Sequence, residues 1–346
     1  MRRATGARVL VAMSGGVDSS VAAAILREQG HDVTGVTLKL WGGDSDSGCC
    51  SVSDVEDARR VAAQLDIPHY VFNFTDEFTA AVVDPYVDAY ANGSTPNPCV
   101  ECNRAIKFGR LLERADTLGV DYLATGHHAR VARDAHGRYQ LLRGVDLAKD
   151  QSYVLYMLGQ RELARTLLPV GELTKAAVRE HASRLGLRTA QKPESMDVCF
   201  ITRGGREEFL ADRAPVRTGA IVDTAGSTVG DHRGVAGFTI GQRRGLGVAT
   251  GERRYVVDVD ARAATVTIGT RADLLRDSVE LRDLTFVRGR PGSTSLSAQV
   301  RAHGEPVEVR LDAATVRFRR PQPRVAPGQV VALYDGDALV GGGIAT

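Results

Sequence analysis

Two sets of residues in this 346-residue chain carry reactive potential, and they differ in kind. The first is Ser14-Gly15-Gly16-Val17-Asp18-Ser19-Ser20, set between a strand-like apolar run and a helix-like run. Backbone N–H groups at a helix N-terminus form an anion site, with the helix dipole behind them. Two glycines let the backbone curl close to phosphate oxygens, and three serines add hydroxyl donors. No Lys-Ser/Thr pair of the Walker type follows, which excludes an ordinary P-loop kinase or GTPase. The second set is five cysteines: Cys49, Cys50, Cys99, Cys102 and Cys199. An odd, sparse set argues against a disulfide scaffold and leaves nucleophiles, metal ligands or inert core thiols.

The contexts of the thiols differ. Cys99 and Cys102 lie in Thr95-Pro96-Asn97-Pro98-Cys99-Val100-Glu101-Cys102-Asn103, where two prolines fix the loop. Cys102 is expected at a helix start, where the dipole favours thiolate. Cys199 sits in Met196-Asp197-Val198-Cys199-Phe200, far away in sequence, so the two thiols can meet only through the fold. Cys49 and Cys50 follow a Gly/Ser/Asp run, 42–48, that reads as a surface loop; they read as incidental thiols first and sulfur carriers second.

These groups need elements to hold them. Arg8–Met13, Val33–Leu40, His69–Phe74 and Asp121–Thr125 read as strands. Val17–Glu28, Ser53–Leu65, Asn103–Leu118 and Thr174–Leu185 read as helices, the second opened by Ser53 with Glu56 three residues on. Strands alternating with helices imply a parallel, Rossmann-like sheet covered on both faces. After about Phe209 the pattern changes to short strands, among them 220–222, 255–259, 264–268, 297–300, 307–311 and 330–333, with turns such as Asp335-Gly336. The expected class is α/β, with an N-terminal domain over 1–205, a small central β-rich domain over 206–272 and a C-terminal β-barrel-like domain over 273–346. Charged residues make up 25% and no apolar run reaches the roughly 20 residues of a membrane helix, so a cytoplasmic protein without membrane contact is expected. The net charge of +2 excludes nothing, but Arg288, Arg290, Arg301, Arg310, Arg317, Arg319 and Arg320 crowd one stretch. They suit phosphate neutralisation or a solvated face.

The run SGGVDSS resembles the PP-loop of the ATP pyrophosphatases, which cleave ATP between the α and β phosphates. Together with TPNPxxxCN, SMDVCFI, Ala124–Ala129, Lys149–Tyr153, Phe238–Gly247 and Gly341–Ile344, it makes the chain resemble the tRNA-specific 2-thiouridylase family from about Arg8 to its end. The resemblance implies ATP and magnesium bound by Ala12, Met13, Ser14, Gly15, Gly16, Val17, Asp18 and Ser19, with Leu38 and Gly126 at the adenine. It implies that Cys199 carries a persulfide, supplied by a cysteine desulfurase or relay protein, and that Cys102 resolves it, leaving a Cys102–Cys199 disulfide. The acceptor would be the wobble uridine of tRNAs for Lys, Glu and Gln, bound by a monomer. Such chemistry is coherent: adenylation turns a poor leaving oxygen into AMP, and a persulfide is a strong nucleophile.

Asn97, Pro98, Cys99, His127, Lys149, Asp150, Gln151 and Gln329 are the tRNA contacts this resemblance implies. Chemistry at C2 requires the base to leave its stack. Arg317-Phe318-Arg319-Arg320 adds arginines interleaved with an aromatic, suited to phosphate pairing with base stacking or to a charged edge strand. Many family members carry Asp where this chain has Cys99. Three thiolates, Cys99, Cys102 and Cys199, could hold a 4Fe–4S cluster with one open iron, a zinc ion, or a simple redox pair. Other PP-loop enzymes adenylate other acceptors, and an RNA-binding iron–sulfur sensor would not need the loop.

Overall fold

The computed structural model describes residues 6–41, 52–193, 198–201, 205–214, 217–249, 251–292, 295–301 and 304–346. Cys49, Cys50 and the 42–48 run lie outside the described residues, as do Met196 and Asp197.

The first strand, β1 (Arg8–Ala12), is apolar throughout its centre because both faces of the sheet are covered. It leads through the glycine-serine loop into α1 (Val17–Glu28). Next come β2 (Asp32–Lys39), α2 (Val52–Gln64), β3 (His69–Asn73) and β4 (Tyr122–Ala124). With β7 (Thr166–Leu167) they form a sheet in the order β3-β2-β1-β4-β7, every pairing parallel. The order reverses between β1 and β4, and ligands of such sheets bind beyond the strand ends at that reversal.

The helix expected from Asn103 starts earlier. Asn97 accepts a hydrogen bond from Cys99 N and Pro98 stands at the first helical position, so helix runs from Pro98 through a π-helical stretch, Cys102–Arg110, to Thr117. Cys99, not Cys102, therefore occupies the first turn, and Cys102 is carried inward to a buried position. The helix dipole, which acts within the first turn, does not favour the Cys102 thiolate there.

A small sheet follows, built of β8 (Gly219–Val222), β9 (Thr228–His232), β10 (Tyr255–Asp260) and β11 (Thr265–Gly269) in the order β10-β11-β8-β9. Its core is Ile221, Val235, Leu246, Val256, Val266 and Ile268.

The C-terminal strands are β12 (Leu275–Phe286), β13 (Leu296–Gln299), β14 (Val307–Asp312), β15 (Thr315–Pro323), β16 (Val330–Asp335) and β17 (Ala338–Ala345). They run β12-β15-β14-β13-β16-β17, and β17 pairs back onto β12, closing a six-stranded antiparallel barrel. The last strand, ALVGGGIA, is glycine-rich because it is crowded on both sides. A Cβ at Gly341 would stand 2.1 Å from Thr285 O, and one at Gly342 2.6 Å from Val331 O.

The sequence did not suggest how barrel and first domain join. A hairpin of the first domain, β5 (Ala129–Arg133) and β6 (Tyr139–Arg143), extends the barrel sheet, with Leu141 and Leu142 pairing Leu339 and Ala338 of β17. Val330, Ala332, Tyr334 and Leu339 accordingly pack in one hydrophobic cluster with Leu10, Val36 and Leu123 of the parallel sheet. Among the described residues no helix is long and apolar enough to cross a membrane.

Candidate active site

A cavity of about 330 Å³ opens at the β1–β4 reversal, within the size range of small-ligand sites. Ala12, Met13, Ser14, Gly16, Val17, Asp18 and Ser19 line one wall, and Leu38, Thr125, Gly126, His127 and His128 line others. Gly16 caps α1 with no side-chain acceptor for the first-turn N–H groups, which suits them to an external anion. The loop is rigid in its own right. Ser19 Oγ accepts from Ser14 N at 3.1 Å, and the Ser19 and Ser20 hydroxyls both donate to Gly16 O. Gly15 stands at φ 71°, and a Cβ there would meet Asp54 O at 2.3 Å. Gly126 is needed for the same kind of reason: its Cβ would lie 2.6 Å from Ser19 N.

Asp18 faces the cavity from the first turn of α1. Lys175 Nζ donates to both its oxygens, at 2.8 and 2.7 Å, and His128 Nε2 to Oδ1 at 3.0 Å. Burial raises the Asp18 pKa, but His128 and Lys175 outweigh it and hold the carboxyl below its usual range. Magnesium would arrive with ATP as part of the substrate, and Asp18 is a hard oxygen donor of the kind it takes. His127 is different. It is fully enclosed, hydrogen-bonds Thr125 Oγ1 at 2.7 Å, and packs by Phe108; burial first, then Lys107 and His128, keep it neutral, its pKa well below 6.5. Sequence reading singled out neither Lys175 nor Lys192. Lys192 Nζ grips Gly15 O at 3.0 Å, Asp54 Oδ1 at 2.6 Å and Asp57 Oδ2 at 2.7 Å, so it braces the loop. Their only sequence signal was that each is a lysine beside a helix boundary.

The thiols lie elsewhere on the same domain. Cys102 belongs to the large hydrophobic cluster, and Cys199 packs against that cluster at its edge. Phe200, fully buried, fixes Cys199 from the next position, its ring 5.2 to 6.2 Å from Tyr86, Phe209, Phe78 and Trp41. Cys99 is exposed and acts on the Tyr86 hydroxyl, whose pKa is raised chiefly by burial. Neither Cys102 nor Cys199 lines the phosphate cavity, but Lys107, on the Cys102 segment, does. Among the described residues no three His, Cys, Asp or Glu side chains converge to hold a metal ion.

The residues expected at tRNA differ in where the fold puts them. Lys149 and Gln151 line the cavity mouth, and Gln151 Oε1 accepts from His128 N at 2.9 Å. Asp150 is buried and spent: it accepts from Arg143 Nη1 at 2.8 Å, from Gly144 N and Ser152 N, and from the Ser152 hydroxyl. Asn97 caps the Pro98 helix, and Pro98 is buried. Gln329 donates to Thr95 O from the barrel, where Thr95 N also donates to Pro327 O at 2.7 Å, so the barrel holds the Thr95–Pro98 loop. On β15, Arg317 and Arg319 point outward, but Phe318 points into the barrel core with Val316 and Val309. Strand alternation puts the phenyl ring on the inner face, so base stacking by Phe318 is not available.

Three family models cover the chain in succession: a tRNA methyl transferase HUP domain over 7–203, a tRNA methyl transferase PRC-barrel domain over 207–270, and an aminomethyltransferase beta-barrel domain over 276–345. Relatives named tRNA-specific 2-thiouridylase are 49% identical in Roseiflexus sp., over 97% of this chain and 98% of that protein, and 47% identical in Moorella thermoacetica, over 96% and 98%. Among solved structures, the U34-tRNA thiolase NcsA of Methanococcus maripaludis aligns with a TM-score of 0.38 and 17% identity, over 56% of this chain and 61% of that one.

Proposed function

This chain belongs to the tRNA-specific 2-thiouridylase family, a family of PP-loop tRNA sulfurtransferases, and from that premise we propose the chemistry of its site. ATP binds with its phosphates over the N-terminus of α1 and its adenine toward Leu38 and Gly126. The substrate is the wobble uridine at position 34 of tRNAs for Lys, Glu and Gln. Its C2 oxygen attacks the α-phosphorus of ATP, the bond to the bridging oxygen breaks, and the electron pair leaves on pyrophosphate. The N3 proton is lost to water. The terminal sulfur of a Cys199 persulfide, supplied by a cysteine desulfurase or a relay protein, then adds at C2. Cys102 attacks the inner sulfur, so the transferred atom keeps its electron pair, AMP departs, and a Cys102–Cys199 disulfide remains for an external thiol to reduce.

The observation that carries this reading is the rigid, uncapped α1 N-terminus at the sheet reversal, in the same domain as one cluster that holds Cys102 and borders Cys199. The burial of the cluster favours a protected persulfide over one open to solvent thiols. Asp150 and Gln329 serve by position, holding the Lys149–Gln151 turn and the Thr95–Pro98 loop, whereas Lys149, Gln151, Arg317 and Arg319 touch RNA. The route uses the thiols of Cys102, in the hydrophobic cluster, and of Cys199, packed against it.

Purified protein with ATP, magnesium, unmodified lysine tRNA, a cysteine desulfurase and cysteine should form 2-thiouridine at position 34, one AMP per sulfur. Cys199→Ser and Cys102→Ser should form none. Thiolation by Cys199→Ser, or thiolation that appears only after anaerobic iron–sulfur reconstitution, would reject the persulfide route.

A further inference from the structure

The cavity is lined by four lysines, Lys107, Lys149, Lys175 and Lys192, and the phosphate-loop motif contains none of them. Their surroundings sort them. Lys192 is held by Gly15 O and by two carboxylates, Asp54 and Asp57, the latter also paired with Arg188, so its charge is already balanced. Lys107 lies on the Cys102 segment and Lys149 on the turn at the cavity mouth. Lys175 pairs with the loop's own carboxylate, reaching both oxygens of Asp18. Its base is fixed as well: Lys175 N donates to Asp146 Oδ2 at 3.0 Å, and Thr174 caps its helix through Ala177 N.

We infer that Lys175 is the catalytic cation that receives the departing pyrophosphate. The inference rests on the adenylation reading above. The bond that breaks leaves new negative charge on the β-phosphate, beside an Asp18 that would repel it. An ammonium 12% exposed, on the same carboxylate, sits where water cannot screen it well. Before ATP enters, Lys175 neutralises Asp18 and His128 hydrogen-bonds it. With Asp18 given over to the magnesium that ATP would bring, the Lys175 ammonium would answer the charge that develops on the departing phosphate oxygens. Its proton stays on nitrogen throughout; the contribution is charge, and it grows as the bond breaks. An interaction that strengthens only toward the transition state acts on kcat and not on KM.

The test is AMP formation by Lys175→Met, Lys175→Gln and Lys175→Arg with saturating tRNA and varied ATP. Lys175→Gln keeps a donor to Asp18, so it preserves the loop if Lys175→Met does not fold. The expected result is kcat lowered about 100-fold in the neutral variants, as for removal of one preorganised donor, with KM for ATP within about threefold. Lys175→Arg should recover at least about tenfold of that loss, since it keeps the charge at reduced fit. A neutral variant with kcat within about threefold of wild type overturns the inference. So does a raised KM with kcat unchanged, or an arginine variant as slow as the neutral ones. Wild-type protein that releases no AMP overturns the adenylation reading itself, whereas normal wild-type release with undiminished release by the variants overturns only the role of Lys175.

Discussion

Asp150 and Arg143 form an ion pair with side chains 3% and 10% exposed, and Arg143 also lies 3.6 Å over the Tyr334 ring and donates to Gln299 of the barrel. Removing one member strands the other in a low-dielectric interior. Asp150→Ala should cost about 3–5 kcal/mol in urea unfolding, and a cost below about 1 kcal/mol would contradict the buried pair. His127 gives a pH dependence. Its folded pKa lies below the unfolded value of 6.5, so the unfolded chain binds the extra proton. The stability it supports is complete above pH 6.5 and is lost as pH falls below it, by at most about 1.4 kcal/mol per pH unit for one proton. His127→Asn should flatten that acid slope; an unchanged slope would mean His127 is not the group responsible. At this scale the sequence was informative about types and silent about state. The motif Gly126-His127-His128 promised a histidine at the site, but only the fold tells which ring meets Asp18 and which is sealed under Phe108. Lys175 and Asp18 are a pair separated by most of the domain, so no local pattern could join them.

Strand β15 separates two contributions that its sequence ran together. Phe318→Ala should destabilise the barrel by about 3–5 kcal/mol, as for a large core truncation, and leave tRNA affinity at permissive temperature unchanged. Arg317→Ala should leave stability within about 0.5 kcal/mol and reduce the salt slope of tRNA binding by about one. The opposite pattern would place the phenyl ring at RNA. The alternation of buried and exposed residues in Thr315–Pro323 was legible in principle, because Val316 and Phe318 share a face. It was outweighed by the appeal of an Arg-aromatic cluster. The helix beginning at Pro98 was misplaced to Asn103 because Cys99-Val100-Glu101 carries no strong helical periodicity; the cap Asn97 and the proline at the first turn were the better signals. By contrast β1, α1 and β2 were readable almost to the residue, since apolar runs, the two glycines and the 3.6 period all agree there.

On the scale of the molecule, the change from alternating strands and helices to short strands marked the passage out of the parallel sheet. The closure of the barrel and its fusion to the first domain were not readable, because pairing of β6 with β17 joins segments nearly two hundred residues apart. That fusion matters for function. Through Gln329, Thr95 and Pro327 the barrel holds the loop that carries Asn97 and leads to Cys99 and Cys102. Gln329→Ala should therefore slow thiolation of tRNA while leaving ATP affinity unchanged, measured by thiouridine yield and by nucleotide titration. A parallel loss of ATP affinity would show that the barrel acts on the whole domain. In the proposed route sulfur passes from Cys199 to an adenylated uridine. The most direct measurement loads the protein with radioactive sulfur from a cysteine desulfurase, removes the donor, and adds ATP and unmodified tRNA in a single turnover. Label should leave the protein for position 34 only when ATP is present, and Cys199→Ser should never take up transferable label. Label that stays on the protein with ATP and tRNA present, or label that reaches tRNA from Cys199→Ser, would contradict it.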